Sequence, residues 1–226
     1  MEQQKVRNKR KWSSLEKSWI LYDVGNSAFF MLTSTIIPIY FKNIAEAGGM
    51  SSSDSTAFWS YAVSISTLIG ALLGPLLGTL ADTKGYKKPL FTTFLLLGVA
   101  ACAALAIPGS WILFLLLFIL SRVGVQGSII FYDSMLIDVT ENEHMDSLSS
   151  HGYAWGYLGS CIPFIASILL ILNAQNLSLS SGRATGIVFV LNAVWWLAIT
   201  LPLIKGYQQK YYVEVEAYPV RKAFQR

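Results

Sequence analysis

Six long apolar runs limit how this 226-residue chain can fold. Each run contains about 20 residues, the length of helix that crosses the hydrocarbon core of a bilayer. Charged residues make up 13% of the chain, which is about half of the fraction usual in a soluble domain. We therefore predict an all-α membrane protein with six transmembrane helices surrounded by lipid. The predicted helices are 19–41, 58–80, 89–107, 111–131, 153–172 and 186–204.

These runs divide the chain into three parts. Residues 1–18 form a basic N-terminus, residues 19–204 form the transmembrane domain, and residues 205–226 form a tail or the start of a central linker. The first run follows basic residues as the core of a signal peptide does. It is too long for that role and contains Asp23 and Asn26, so we interpret it as the first membrane helix.

The distribution of lysine and arginine predicts the orientation in the membrane. Cations are concentrated in residues 1–18, in the turn 82–88 and in the tail, which all fall on one side, whereas Lys42 and Arg183 fall on the other. Positively charged loops stay inside the cell, so both termini are predicted to be cytoplasmic in a multi-pass protein of the cell (inner) membrane. Topology also explains the net charge of +4, and no nucleic-acid partner is expected.

The sequence predicts no cofactor and no metal site. Cys102 and Cys161 both lie inside apolar runs, where a free cysteine usually behaves as a small buried apolar residue. The spacing of the cysteines and histidines matches neither a disulfide framework nor a zinc site. A glycine-rich phosphate-binding loop is also absent from the sequence, so we do not expect ATP hydrolysis.

A glycine-rich helix end followed by a charged turn is the first functional motif. Three glycines at four-residue spacing share one helix face, where they allow another helix to approach closely: Gly70, Gly74 and Gly78. The sequence GTLADTKGYKK, residues 78–88, resembles the cytoplasmic loop between helices two and three of the major facilitator superfamily. Family members usually have arginine where Thr83 and Tyr86 stand here. The resemblance implies that a cytoplasmic gate is formed by Gly78, Asp82, Gly85, Lys87 and Lys88.

Three further stretches resemble one branch of that superfamily, the vacuole effluxers, which include autophagic amino-acid exporters and bacterial relatives. They are WILYDVGNSAF at 19–29, FYDSML at 131–136 and GYAWGYLG at 152–159. The order of the stretches along the chain is the expected one, although the branch would have asparagine in place of Asp133. Family members contain twelve helices in two halves, each a 3+3 inverted repeat, with the substrate path between the halves.

A chain with six helices therefore resembles an N-terminal half. It is expected to be a fragment, a truncated product, or one subunit of a split or dimeric transporter. In each case it needs a second six-helix half, in the same chain or in a separate one, because a lone half lacks part of the cavity wall.

Polar residues inside the apolar runs are the candidate site. A charge in the bilayer costs about 2.5–3.5 kcal/mol on insertion scales and usually faces the interior of the bundle. Two Tyr-Asp pairs, at 22–23 and 132–133, are placed at the cytoplasmic ends of the first and fourth helices, where they would form a polar mouth. Arg122 lies midway along the fourth helix, one turn from a glutamine that could accept its hydrogen bond. The candidate substrate or coupling residues are Tyr22, Asp23, Asn26, Arg122, Gln126, Tyr132 and Asp133.

Simpler roles remain open for the two acids. Asp23 could cap its helix or pair with a nearby lysine, and Asp133 could be solvated at the interface.

The leading function is a secondary transporter, or half of one, that moves a small solute such as an amino acid by alternating access. An inactive or split half that acts as a membrane scaffold is the alternative. An embedded enzyme is less favoured, because Ser27 would need a facing histidine and His144 and His151 lie at a loop.

Overall fold

A computed structural model describes residues 11–107 and 109–214, so most of the predicted basic N-terminus and the end of the predicted tail lie outside the described residues. Six parts of the described chain are helical, long enough and apolar enough to cross a membrane, which confirms the all-α prediction with six spans. The first span contains two helices. The helices are α1 (Ser14–Ser34), α2 (Ile36–Ala47), α3 (Ser52–Ala81), α4 (Lys87–Ala104), α5 (Trp111–Val139), α6 (Met145–Leu172) and α7 (Ser181–Gly206).

Serine marks the start of four of these helices. Each serine side chain accepts a hydrogen bond from the backbone N–H three residues later, which satisfies one of the free donors at a helix N-terminus. At Ser13 the bond is reciprocal, because the Glu16 carboxylate accepts from the Ser13 N–H at 2.7 Å. The four capping residues are Ser13, Ser51, Ser110 and Ser180.

The first span is broken at Thr35, where the backbone leaves the helical conformation (φ −133°, ψ −74°). Pro38 has no N–H to donate to the carbonyl of Ser34, so one hydrogen bond that would join the two helices is missing. The hydroxyls of Ser34 and Thr35 donate to carbonyls one turn earlier, at 2.9 and 2.5 Å, a contact that bends helices. The sequence predicted a continuous helix here, so the break is a correction.

Two helices extend well beyond the apolar runs that predicted them. The fourth run ends at Phe131, but α5 continues to Val139, and α6 begins at Met145 rather than near residue 153. Asp133 therefore lies six residues before the end of α5 and not at its end. Polar residues that face protein or solvent do not terminate a helix, although they do terminate a hydropathy run.

The most extensive contacts between helices follow an internal symmetry. Helix α1 packs against α6 and α7, α5 packs against α3 and α4, and α4 packs against α7. Exchanging the first three spans (α1–α2, α3, α4) for the last three (α5, α6, α7) reproduces the same pairs. Because three spans reverse the direction of the chain, the two triplets have opposite orientations. This is the pairing of a 3+3 inverted repeat, as in half of a major-facilitator bundle.

The helices differ in how much of their surface the bundle covers. In α3 and α6, 11% and 28% of the most apolar window is buried, compared with 39–44% in the other four spans. Helices α1 and α5 are covered best, and large aromatic side chains fill the space around them, among them Tyr22, Phe29, Phe118, Phe131 and Trp196, all fully buried or nearly so. Helices α3 and α6 thus present the two largest uncovered surfaces.

Candidate functional site

A cavity of about 470 Å³ lies between α1, α5 and α6. Each of the three helices lines the cavity with one of its faces, because the lining positions recur at three- and four-residue intervals along each helix. The described lining residues are Trp19, Asp23, Asn26, Ser27, Phe30, Met31 and Ser34 from α1, Ile129, Tyr132 and Asp133 from α5, and Ser149, Tyr153 and Tyr157 from α6.

Both acids of the predicted polar mouth are in this lining. Asp23 is partly buried and Asp133 is exposed, and the amide of Asn26, one turn from Asp23, donates to its Oδ1 at 3.5 Å. Asp23 is nine residues from the start of α1, or about 13 Å along the helix. The described lining contains no lysine, arginine or histidine. The cavity is therefore polar on one side and has a negative formal charge.

Aromatic rings hold Tyr132 in a single position. The Trp19 ring stacks on it at 4.3 Å, and the Trp19 Nε1 donates to the Tyr132 carbonyl at 3.2 Å. Tyr22 packs on it at 4.4 Å and shares a hydrogen bond of 2.7 Å with Ser128, so Tyr22 lies behind the cavity wall. Tyr132 is only 3% exposed, and its hydroxyl lies against the Asp23 carboxylate, shielded from solvent.

Two glycines let α6 approach α1 at the cavity. A Cβ at Gly152 would lie 2.9 Å from Oδ2 of Asp23, 3.0 Å from the Trp19 ring and 3.5 Å from the Tyr132 hydroxyl. A Cβ at Gly156 would lie 2.9 Å from the Ser27 hydroxyl. The carboxylate, the indole and the phenol hydroxyl therefore converge on one point of the α6 backbone.

Arg122 and Gln126 lie elsewhere. The Arg122 guanidinium donates to the Ser66 hydroxyl at 3.3 Å and to the Thr67 hydroxyl at 3.4 Å, both on α3. The Gln126 side chain covers Gly70, where a Cβ would lie 1.5 Å from its Oε1. No hydrogen bond joins Arg122 to Gln126 in the described chain, contrary to the expectation. These two residues join α5 to α3 and do not line the cavity.

A buried charge cluster lies at the end of the bundle where α1 begins. Lys87 Nζ is 2.9 Å from Oδ2 of Asp138, and both side chains are fully buried. The Tyr207 hydroxyl donates to the same oxygen at 2.5 Å, and the N–H groups of Lys210 and Tyr211 donate to Oδ1 at 2.9 and 2.8 Å. We call these five residues the Asp138 cluster. It satisfies one carboxylate with four donors from two separate parts of the chain, the start of α4 and residues 207–211.

Tyr207 stays a donor within this cluster. Burial raises the pKa of its hydroxyl above the ordinary value, and the hydrogen bond to Asp138 and the charge of that carboxylate raise the pKa further. The phenol therefore remains protonated at physiological pH. Its carbonyl also accepts from Lys88 Nζ at 3.1 Å, so Lys87 and Lys88 are both bound near Tyr207.

Residues 207–213, which we call the tail strap, run across the turn between α3 and α4. The Val213 N–H donates to the Asp82 carbonyl at 2.7 Å, and the Val213 carbonyl accepts from the Lys84 N–H at 3.1 Å. The Gln209 amide bonds to the carbonyls at 81 and 83 and accepts from the Gly85 N–H at 3.0 Å. Gly85 has φ +80°, a left-handed conformation that favours glycine. The strap thus closes the turn with backbone bonds.

The predicted gate residues fall into two groups in this structure. Gly85, Lys87 and Lys88 bind the strap or the Asp138 cluster, whereas the Asp82 side chain is exposed and a Cβ at Gly78 would meet nothing within 4 Å. Asp138, Tyr207 and Gln209 were not among the predicted site residues. An acidic residue close to the end of α5, on the same side as three lysines, was the one available signal for Asp138.

The described residues contain no group of three or more metal-ligating side chains.

A family model described as "Vacuole effluxer Atg22 like" matches residues 51–143. An uncharacterised MFS-type transporter of Bacillus subtilis (strain 168), YxiO, is 42% identical over 222 residues, which is 96% of this chain and 52% of the relative. An uncharacterised protein of Aquifex aeolicus (strain VF5) is 29% identical over 180 residues, 78% of this chain and 43% of that protein. The chain thus spans about half the length of the curated relatives that it matches.

Proposed function

We propose that this chain, which belongs to the vacuole effluxer-like branch of the major facilitator superfamily, forms one six-helix half of a secondary transporter. The transported molecule would be a small solute. The observation that carries the proposal is the cavity between α1, α5 and α6, which brings together an acid from α1 and an acid from α5. A lone half leaves this cavity partly open. A second half facing it would enclose a path that opens to each side in turn.

The surface of α3 supports a docking site for that second half. Six small residues at three- and four-residue spacing share one face of the helix, and all are exposed or half-buried: Ser60, Ser64, Thr67, Ala71, Gly74 and Gly78. We call this the small-residue face. Such faces allow close packing between membrane helices, whereas contact with lipid gives them no advantage. A Cβ at Gly74 or Gly78 would meet nothing within 4 Å, so this end of the face is open within this half, whereas Thr67 accepts a hydrogen bond from Arg122.

The proposed orientation places the tail strap and the Asp138 cluster on the cytoplasmic side. Described cations at that end include Lys11, Lys17, Lys84 and Lys205, whereas the other end carries Lys42 and Arg183. The positive-inside rule then puts the strap in the cytoplasm. In this orientation the turn between α3 and α4 is the cytoplasmic gate element. The Asp82 side chain of this turn is exposed, and we expect the second half to contact it.

Flux through the assembled transporter tests the proposed path. We expect Asp23→Asn and Asp133→Asn each to reduce counterflow of radiolabelled amino acids in proteoliposomes by roughly tenfold or more, because each removes a charge that the cavity presents to the solute. Asp146→Asn is the matched control, since Asp146 is exposed at the start of α6 and does not line the cavity. Unchanged flux in both cavity variants would exclude this cavity as the path.

Co-purification tests the docking surface separately. Ala71→Leu on the small-residue face is expected to reduce recovery of a tagged second half severalfold, because the larger side chain holds the helices apart. Ala100→Leu makes the same change at an exposed position of α4 and is expected to leave recovery unchanged. Equal recovery from both variants would place the second half on another surface. A stable complex without flux for any solute would favour the scaffold alternative.

A further inference from the structure

Arg122 places a positive charge without a counter-ion in the middle of the membrane domain. It lies eleven residues after the start of α5, or about 16 Å along the helix. The ion pairs of the described chain do not include it. Asp133, on the same helix, is eleven residues further on, and it lines a cavity whose lining does not include Arg122. A charge at this depth is costly and usually marks a functional contact.

The hydrogen bonds of Arg122 leave part of its guanidinium unused. Two of the five N–H groups of an arginine donate to α3 here, Nε to the Ser66 hydroxyl at 3.3 Å and Nη2 to the Thr67 hydroxyl at 3.4 Å. Both hydroxyls also donate to the Val63 carbonyl, at 2.8 and 2.9 Å, so they are partnered without Arg122. The other N–H groups of the guanidinium have no acceptor in the described chain. The two bonds hold the guanidinium against α3 but leave its charge uncompensated.

The guanidinium lies beside the small-residue face of α3. Thr67, which accepts its bond, belongs to that face and is exposed. Ser64 and Ala71, one turn away on either side, are exposed as well. Short side chains around the charge leave room for another helix and for a side chain that reaches from it. The surface proposed for the second half therefore carries a cation near its centre.

We propose that the second half places a carboxylate against Arg122, so that an ion pair within the membrane joins the two halves. The proposal rests on the proposed half-transporter and deepens it, since it names the chemistry of the partner surface. A guanidinium binds a carboxylate through two parallel N–H bonds, and the unused donors of Arg122 suffice for that arrangement. In a medium of low dielectric constant this pair attracts strongly, and it disfavours packing that leaves the arginine against an apolar surface.

Two other sources of negative charge fit this position less well. Lipid phosphates lie at the membrane surfaces, whereas Arg122 is midway along a membrane-spanning helix. A solute carboxylate in the cavity between α1, α5 and α6 would be lined by other residues. A carboxylate on a docked helix reaches the charge directly, because Arg122 contacts the docking face itself.

The isolated chain and the assembled protein should respond differently to the loss of this charge. In the 226-residue chain in lipid nanodiscs, Arg122→Leu is expected to leave the unfolding temperature unchanged or to raise it. The reason is that no counter-ion is lost and both hydroxyls of α3 keep their acceptor. With the second half present, the same variant should reduce recovery of a tagged second half severalfold. An arginine that only stabilises its own half would give the reverse pattern.

Matched variants isolate the effect of the charge. Arg183→Leu makes the same change at an exposed position in the first turn of α7 and should leave recovery unchanged. Arg122→Lys keeps the charge without the planar fork, so it should retain more recovery than Arg122→Leu. Arg122→Glu should reduce recovery most, because it sets two carboxylates against each other.

Substitutions in the second half identify the carboxylate. Each aspartate or glutamate within its hydrophobic spans is changed to asparagine or glutamine, alone and together with Arg122→Leu. Loss of the partner acid should reduce recovery by itself but add little in the double variant. Exchanging the charges, with Arg122→Glu opposite an arginine at the partner position, should restore recovery.

Several outcomes would overturn the proposal. They are equal recovery with Arg122→Leu and Arg183→Leu, the absence of any acid in the second half that couples to Arg122, or full recovery with loss of flux confined to solutes that carry a carboxylate. The last result would assign the charge to the solute. The half-transporter proposal fails separately. A coupled acid without flux of any solute would keep the ion pair and remove transport, whereas flux and recovery that both survive Arg122→Leu would do the reverse.

Discussion

Replacing Asp138 with leucine is expected to lower the free energy of unfolding by about 3–5 kcal/mol, the cost of leaving a buried charge without its partner. Lys87 would keep the Ser134 carbonyl at 2.9 Å as an acceptor and lose its counter-ion. The Tyr207 hydroxyl and the N–H groups of Lys210 and Tyr211 would lose their acceptor as well. Reversible unfolding of the 226-residue chain in detergent, followed by tryptophan fluorescence, measures the loss.

The reciprocal variant is expected to be milder. In Lys87→Met the Asp138 carboxylate keeps three of its four donors, so the loss of stability should be smaller than in Asp138→Leu. The double variant should recover part of the loss, because it removes both charges. Lys84→Met is the control, since Lys84 pairs with Glu214 at the surface, at 3.9 Å, and such pairs contribute about 0–1 kcal/mol. Equal effects of Lys84→Met and Asp138→Leu would contradict the role given to the cluster.

Replacing Gly124 with alanine is expected to destabilise the bundle by about 1–3 kcal/mol, the usual cost of overpacking, even though alanine favours helix. The added Cβ would lie 2.3 Å from the backbone N of Gly98, 2.4 Å from its Cα and 2.9 Å from the Phe94 carbonyl. These are backbone atoms of α4, so no side chain can rotate to make room. Helices α4 and α5 must separate, and valine should be worse than alanine.

Gly78→Ala is the matched control for this effect, and it should have the opposite sign. A Cβ at Gly78 meets nothing within 4 Å, so the gain in helix propensity, up to about 1 kcal/mol, is not offset within this half. Thermal unfolding of both variants in the same detergent compares them directly. Destabilisation by Gly78→Ala equal to that by Gly124→Ala would show that loss of glycine, rather than the α4–α5 contact, is responsible.

Part of the candidate site could be predicted from local pattern. A tyrosine-aspartate pair on each of two membrane helices suggested a shared mouth, and the structure brings Asp23, Asn26, Tyr132 and Asp133 to one cavity. Their role in transport stays a prediction. Arg122 and Gln126 are one turn apart on α5, yet their side chains contact α3 instead of each other. Helix spacing shows which residues share a face, but it does not show which helix packs against that face.

The Asp138 cluster could not be predicted in this way, because its members are far apart in the sequence. Lys87 is 51 positions from Asp138, and Tyr207 is 69 positions from it. Each of the three residues has an ordinary explanation on its own, as a loop cation, a polar helix end or an interfacial aromatic residue. Their shared burial depends on the path of the tail strap after α7, and no periodic pattern encodes that path.

The sequence by itself determined the number of spans, their approximate positions and the turn at Gly85, because hydrophobic length and local backbone conformation depend on neighbouring residues. The tertiary structure decided which faces of the helices meet. In a bilayer a leucine gains similarly from lipid and from protein, so hydropathy cannot distinguish a buried face from a lipid-exposed one. Which faces are buried depends on close contacts between glycines, such as Gly98 and Gly124, and on the need of buried polar groups for hydrogen-bond partners.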